Sequence, residues 1–199
     1  AQAFGGWMGI TGPSKEEPYK VGGGAGDTVP GLFAAFGTLA AMFNARQTGQ
    51  GQYVDVAMVD SILAMGEMLA STFAYTGVSA QPIGNSLPGL APFGTVPAKD
   101  GVIVIAAAHD PQWRELSAIM GKPELATDPR FIHEPERWAN RAEMMAEIEA
   151  FTRQYTKQEL KEMLGGRVPM GPIYSGEDIF REPHFEVRGM LPEVDHPGM

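Results

Sequence analysis

The sequence predicts an α/β protein made of a helical first part rich in small residues and a small α+β second part. Three observations support this prediction. Apolar residues recur at helical spacing between residues 28 and 46. A loop rich in Gly and Pro occupies residues 77–92. Residues 92–109 then have the alternation and central turn of a β-hairpin. We therefore expect two parts, residues 1–80 and residues 81–199.

The main feature of the first part is a long predicted helix from about Thr28 to Arg46. Pro30 falls in its first turn, where the missing N–H costs little, and Gly49 follows its last turn. The apolar residues that recur at helical spacing are Leu32, Phe33, Phe36, Leu39, Ala40 and Phe43.

A short strand and a second helix are predicted to follow. Residues 51–58 alternate between apolar and polar side chains, which is typical of a strand. From roughly Val59 to Tyr75 the chain is apolar almost all round, apart from Asp60, Ser61 and Glu67. A helix with so few polar residues belongs in an interior or at an interface.

The second part is predicted to combine a hairpin with short helices. The hairpin turns at Lys99-Asp100-Gly101. Thr156 and Glu159 have the spacing of a capping box, and Gly165 ends the helix that they begin. The predicted helices are at about 111–120, 134–153, 157–164 and 175–185, with a strand at 188–194.

Composition and charge exclude several classes of function. Fifteen Lys and Arg against 24 Asp and Glu give a net charge of −9, which argues against nucleic-acid binding. The absence of cysteine excludes disulfides, thiolate metal sites and a Cys nucleophile. We expect no metal site, because the four histidines have no metal-ligand spacing. Neither a secretory signal pattern nor a membrane-length apolar run is recognised, so we expect a soluble cytoplasmic protein without a membrane partner.

The charge is unevenly distributed along the chain. Residues 1–108 carry only 11 of the 39 charged residues. Such a charge-poor, apolar segment is expected to be covered by further chain or by a partner subunit. The chain also begins without Met and stops without a closing element, which suggests a piece of a longer polypeptide.

Asp27 stands between a cluster of glycines and the first predicted helix. It has the position of a helix N-cap, which stabilises a helix by roughly 1 kcal/mol. A carboxylate at a helix N-terminus is also held in its ionised form and can act as a nucleophile. The glycine cluster lacks the context of a Rossmann fingerprint or a P-loop. On spacing alone, both interpretations of Asp27 stay open.

Two further residues have an ordinary structural explanation from the sequence alone. Met58 lies where the predicted strand meets the second helix, and a methionine there usually belongs to the core. His109 ends the second hairpin strand, where we expect it to cap the next helix.

The stretch GDTVPGLFAAFGTLAAMFNARQTGQGQYVDVAMVDSIL, residues 26–63, resembles the central segment of the family III CoA-transferases, the CaiB/BaiF group that includes formyl-CoA transferase. The flanking stretches AQAFGGWMGITG (1–12), residues 92–131 and residues 168–185 also resemble that family. The matching positions in the central stretch are Asp27, Gly31, Arg46, Thr48, Gly49, Gly51, Gln52, Val54, Asp55, Val56 and Met58.

The resemblance implies a fold, a reaction and a set of site residues. It implies the central part of a family III fold, in a homodimer whose two chains are interlaced. Asp27 matches the family's catalytic aspartate and Met58 a position that contacts CoA. No cofactor would be bound permanently, since a CoA thioester is the substrate and a small carboxylic acid is the acceptor. The loop at residues 83–92 matches a glycine-rich lid but has fewer glycines, and the family's N-terminal nucleotide-binding region and C-terminal return have no counterpart here.

Two other functions remain open at this point. An α-methylacyl-CoA racemase on the same fold would use the aspartate with a histidine as an acid/base pair. A truncated, non-catalytic copy would serve only in interaction or dimerisation.

Overall fold

The computed structural model describes residues 1–66 and 68–198. The chain divides into two compact units, Ala1–Asn85 and Ser86–Met199. Within the described residues, the first unit is helical and the second combines helices with a three-stranded antiparallel sheet.

The first unit is built around the predicted long helix, which is confirmed. Helix α1 comprises Ala25–Thr48, and helices α2 and α3 comprise Met58–Ala64 and Met68–Thr76. A single 3-10 turn, Trp7–Gly9, lies near the N-terminus. Gly49 ends α1 with φ 74°, a left-handed conformation that glycine adopts without strain, and its N–H donates to the carbonyl of Ala45.

Two predictions for the first unit are wrong. Residues 51–57 form no strand, and Met58 already begins α2. Alternation alone does not make a strand without a partner, and the described residues of this unit contain only one isolated bridge. The single helix predicted over residues 59–75 is also wrong, because the chain leaves the helical conformation at Met65 and Gly66. Glu67, part of that prediction, lies outside the described residues.

Helix α1 leaves most of its apolar side chains uncovered within the chain. Among its residues only Pro30 and Ala41 are buried, whereas Phe36 and Phe43 are 78% and 67% exposed. By length and composition α1 could cross a membrane, which corrects the expectation that no segment could. The same length and composition occur in core helices of soluble proteins, so they do not decide between the two.

The N-terminal segment packs closely against α2. Ile62 of α2 is fully buried, and a Cβ at Gly5 would lie 2.6 Å from its Cγ2 atom. Real Cβ atoms do not approach that closely, so only glycine fits at this position without a shift of α2.

We expect Gly5→Ala to destabilise the first unit by about 1–3 kcal/mol, the usual cost of forcing an extra methyl group into a packed contact. Urea unfolding measures this difference. Gly9→Ala is the matched control, because a Cβ at Gly9 meets nothing within 4 Å. Equal stability of the two variants would contradict the packing of residue 5 on Ile62.

The second unit contains the predicted hairpin, which is confirmed. Strand β1 comprises Phe93–Ala98 and strand β2 comprises Gly101–Ala106, paired in register from Phe93 with Ala106 to Ala98 with Gly101. A third strand that the sequence did not predict, β3 at Met170–Pro172, pairs with β2 so that the order is β1-β2-β3.

Six helices accompany this sheet in the part of the second unit that the structure describes. They are α4 (Asp110–Ile119), α5 (Glu134–Ala139), α6 (Arg141–Thr152), α7 (Lys157–Leu164), α8 (Gly176–Arg181) and α9 (Pro183–Val187). The capping box of α7 is confirmed, with the Glu159 N–H donating to Thr156 Oγ1 and the Thr156 N–H to the Glu159 carboxylate.

Three predictions in this unit need correction. The helix predicted at 134–153 is two helices, which meet at Asn140. The helix predicted at 175–185 is also two, because Glu182 has extended backbone before Pro183 begins α9. Residues 188–194 form no strand.

The core of the second unit lies between the sheet and the helices. The inward-facing residues of the hairpin pack against α4, α6 and α7, and this accounts for the alternation that predicted the strands. The fully buried members of this cluster include Val96, Ile103, Ile105, Trp113, Leu116, Ile148, Leu160 and Leu164.

Candidate functional site

Asp27 lies in the first turn of α1 but is not its N-cap. The helix begins at Ala25 with Gly24 as the N-cap residue, so Asp27 is the third helical residue. The backbone N–H groups of Asp27 and Thr28 both donate to the carbonyl of Gly24, at 2.9 and 2.8 Å. The N-cap interpretation of Asp27 is therefore wrong, because the glycine cluster itself starts the helix.

The carboxylate of Asp27 is exposed and has no partner among the described residues. No hydrogen bond or ion pair joins it to any residue in the described part of the chain, and its side chain caps no N–H group. The N-terminus of a 24-residue helix carries partial positive charge, which stabilises a negative charge in its first turn. A free carboxylate in such a position is available to react with a ligand.

The glycine cluster before Asp27 leaves space for that approach. A Cβ at Gly22 or Gly23 would meet no other atom within 4 Å, and Gly23 has φ +66°. A Cβ at Gly24 would lie 3.8 Å from Asp27 Oδ2. A side chain at Gly24 would narrow the approach to the carboxylate, and glycine at this position keeps it open.

Gln2 holds the start of the glycine cluster and was not singled out from the sequence. Its Oε1 accepts a hydrogen bond from the N–H of Val21 at 2.8 Å, and its Nε2 donates to the Val21 carbonyl at 3.4 Å. A Cβ at Gly26 would lie 3.7 Å from Gln2 Cγ, so the same side chain contacts the first turn of α1. Gln2 is thus a positioning residue for the loop that carries Asp27, and only the folded chain reveals it.

Met58, the predicted CoA contact, is the first residue of α2 and is 44% exposed. Helix α2 packs against α1, so the two predicted site residues lie in the first turns of two packed helices. Met58 is not a core residue in this structure. Its half-exposed thioether side chain is available to contact a ligand.

A polar cluster at the ends of α4 and α5 organises the second unit. His109, confirmed as the N-cap residue of α4, pairs with Glu134 at 2.7 Å, and His133 pairs with Asp110 at 3.1 Å. Hydrogen bonds from the buried Arg137 and from His133 hold the pKa of Asp110 below its usual value. These groups bond to one another, which indicates a structural role.

Residues 1–66 and 68–198 contain no metal-binding cluster, defined as three or more His, Cys, Asp or Glu side chains that could hold an ion together.

Comparison with known proteins identifies the family of the chain. The sequence profile of CoA-transferase family III matches residues 1–199. Succinyl-CoA:mesaconate CoA-transferase of Haloarcula marismortui is 42% identical over 198 residues, which are 100% of this chain and 50% of that protein. Succinyl-CoA–D-citramalate CoA-transferase of Chloroflexus aurantiacus is 36% identical over 200 residues, again 100% of this chain and 50% of that protein.

A solved structure shows the same fold. The crystal structure of a CaiB/BaiF family protein from Brucella suis has a TM-score of 0.81 and 36% identity over 95% of this chain and 50% of that one. The chain thus spans about half the length of the curated relatives that it matches. The full-length match to the family profile, together with this fold, assigns the chain to CoA-transferase family III.

Proposed function

We propose that the protein is a CoA-transferase in which Asp27 is the nucleophile. The observation that carries this proposal is the free, exposed carboxylate of Asp27 in the first turn of α1, behind an open glycine cluster. The names of the curated relatives support the same reaction class, since they are CoA-transferases. No feature of the described residues favours the racemase or the non-catalytic alternative.

The proposed reaction begins with attack of a carboxylate oxygen of Asp27 on the thioester carbonyl of the acyl-CoA. The C–S bond breaks, CoA leaves as the thiolate, and a mixed anhydride forms on Asp27. The thiolate then attacks the aspartyl carbonyl, which releases the donor acid and leaves an aspartyl-CoA thioester. The acceptor carboxylate displaces CoA to form a second anhydride. Attack of the thiolate on the acceptor's acyl carbon yields the new acyl-CoA and restores Asp27.

Each of these attacks places negative charge on a carbonyl oxygen. The carbonyl of Gly24 already accepts from the N–H groups of Asp27 and Thr28, and Gln2 accepts from the N–H of Val21. The backbone N–H groups of residues 22–26 donate to no described residue, so they are available to an oxyanion.

The substrates that we propose follow from the named relatives. The two relatives described above both use succinyl-CoA, with mesaconate and D-citramalate as the other acids. Both acids are methyl-branched dicarboxylates with the same number of carbons. We therefore propose succinyl-CoA as the donor and a short dicarboxylic acid as the acceptor.

We propose a homodimer as the functional assembly. The exposed apolar side chains of α1 support it, because a patch of this kind is costly in water and a second copy of the chain would cover it.

We expect Met58→Ala to raise the KM for acyl-CoA several-fold, on the order of 1 kcal/mol of lost contact, with a smaller effect on kcat. Steady-state kinetics with succinyl-CoA measures both constants. Met65→Ala is the matched control, because Met65 is exposed to a similar degree at the other end of α2. A KM that is unchanged in Met58→Ala, or raised equally in both variants, would rule out the proposed contact.

The transferase proposal is tested by incubating the full-length protein with succinyl-CoA and mesaconate and following mesaconyl-CoA by chromatography. We expect CoA to pass to mesaconate with release of free succinate. Exchange of the α-proton of 2-methylacyl-CoA without transfer would instead show a racemase. If the protein binds neither succinyl-CoA nor 2-methylacyl-CoA, the result would favour a protein that serves only in interaction.

A further inference from the structure

A small cavity in the second unit has the chemistry of a carboxylate-binding site. It encloses about 200 Å³, below the range of cavities that hold drug-sized ligands. Its apolar walls include Leu90, Phe93 and Met145, and its polar side chains include Ser86 and Arg141. All of these residues lie within the second unit. The size and lining fit an organic acid of a few carbon atoms.

Arg141 is held in place at this cavity but has no acidic partner among the described residues. Its guanidinium lies 4.5 Å from the centre of the Trp138 ring, and its Nη1 donates to the Trp138 carbonyl at 3.1 Å. In the described part of the chain no carboxylate lies within ion-pair distance of Arg141, whereas Arg130 pairs with two carboxylates and Arg153 with one. An arginine has five N–H donors, so four remain for a ligand.

The N-terminus of α6 adds positive potential beside Arg141. Asn140 is the N-cap residue of this twelve-residue helix but makes no side-chain bond to it, because its Nδ2 donates to the carbonyls of Arg130 and Glu136. The acid in the first turn, Glu143, pairs with Arg130 instead. The first turn therefore has no capping acceptor, and an anion bound at Arg141 would be stabilised by it.

Another part of the cavity wall, Ala91, is fixed by a buried contact. The Nε of Arg137 donates to the carbonyl of Ala91 at 2.9 Å, and Ala91 is itself buried. The cavity is thus preformed at both places, which lowers the entropic cost of binding.

We propose that this cavity binds the carboxylate of a small organic acid, with the Arg141 guanidinium as the anchor and the Ser86 hydroxyl as a second donor. Trp138 lies against the guanidinium, and the N–H groups that Arg141 does not use on the Trp138 carbonyl are available to donate to a carboxylate in the two-bonded geometry that arginine favours. The site lies outside the loop of Asp27 and does not depend on the chemistry proposed there.

Titration of the protein with sodium succinate, at constant ionic strength and followed by tryptophan fluorescence, tests this site. We expect a saturable change that Trp138→Phe abolishes and that neutral succinamide does not produce. Arg141→Gln should weaken binding about tenfold or more, because charged hydrogen bonds are lost. The affinity of Arg141→Lys for succinate should lie between those of the original protein and Arg141→Gln, because lysine keeps the charge but lacks the planar guanidinium.

Arg114→Gln is the matched control, because Arg114 is also an exposed arginine without an ion pair among the described residues and it lies on α4 away from the cavity. Equal loss of binding in Arg114→Gln and Arg141→Gln would overturn the proposal. So would an equal response to sodium sulfate, or loss of the response in Asp27→Asn, which would place the binding at the transferase site. A normal succinate response in Asp27→Asn, with transfer absent, would support a separate site.

Discussion

Asp27→Asn should lower the rate of CoA transfer by about a thousandfold or more, the scale on which enzymes lose activity when a covalent nucleophile is removed. The amide is nearly the same size as the carboxylate but cannot form the anhydride. The side chain makes no hydrogen bond or ion pair with a described residue, so we expect the fold to be unchanged. Single-turnover kinetics with succinyl-CoA and circular dichroism measure the two effects.

Asp60→Asn is the matched control for this experiment. Asp60 is the third residue of α2, as Asp27 is the third residue of α1, and both are exposed. The two substitutions remove the same charge from the same position in a helix, so any general effect of the helix dipole is shared. Comparable losses of activity in both variants would mean that Asp27 acts through charge alone.

Arg137→Met should destabilise the second unit by roughly 3–5 kcal/mol, the usual cost of removing one partner from a buried, hydrogen-bonded charge. Arg137 is fully buried. Its guanidinium donates to the backbone carbonyls of Ala91, Phe131 and Ala108. It also donates to the carboxylate of Asp110. The substitution leaves these four acceptors without their donor.

Guanidinium chloride unfolding, followed through the buried Trp113 of the same unit, measures this loss. Arg153→Gln is the control, because Arg153 forms an exposed ion pair with Glu149 one helical turn away. Such pairs contribute about 0.2–1 kcal/mol. A loss in Arg137→Met no larger than that in Arg153→Gln would show that the buried contacts do not hold the unit together.

Local patterns in the sequence predicted the elements whose partners are near in the chain. The hairpin has both strands within a few residues of its turn, and the α7 capping box satisfies its bonds within four residues. Strand β3 was missed because it is three residues long and its partner β2 lies more than sixty residues earlier. Residues 51–57 show the converse, since they alternate like a strand but pair with no strand among the described residues.

The site residues divide in the same way. Asp27 and Met58 are candidates from the sequence only because residues 26–63 resemble the central segment of the CoA-transferase family at these positions. The N-cap position of Asp27 was wrong because three consecutive glycines allowed the helix to begin at Ala25. Gln2 and Arg141 gave no sequence signal. Gln2 acquires its role through a hydrogen bond from Val21, and Arg141 through its contact with the Trp138 ring. Both contacts form only in the folded chain.

The measurement that tests the nucleophile most directly is mass spectrometry of the protein after reaction with succinyl-CoA and trapping with hydroxylamine. An anhydride or thioester on Asp27 would be captured as a hydroxamate, so we predict a modified peptide that contains residue 27 and is absent from Asp27→Asn. Full CoA transfer by an unmodified Asp27, or a hydroxamate at another carboxylate, would contradict the account.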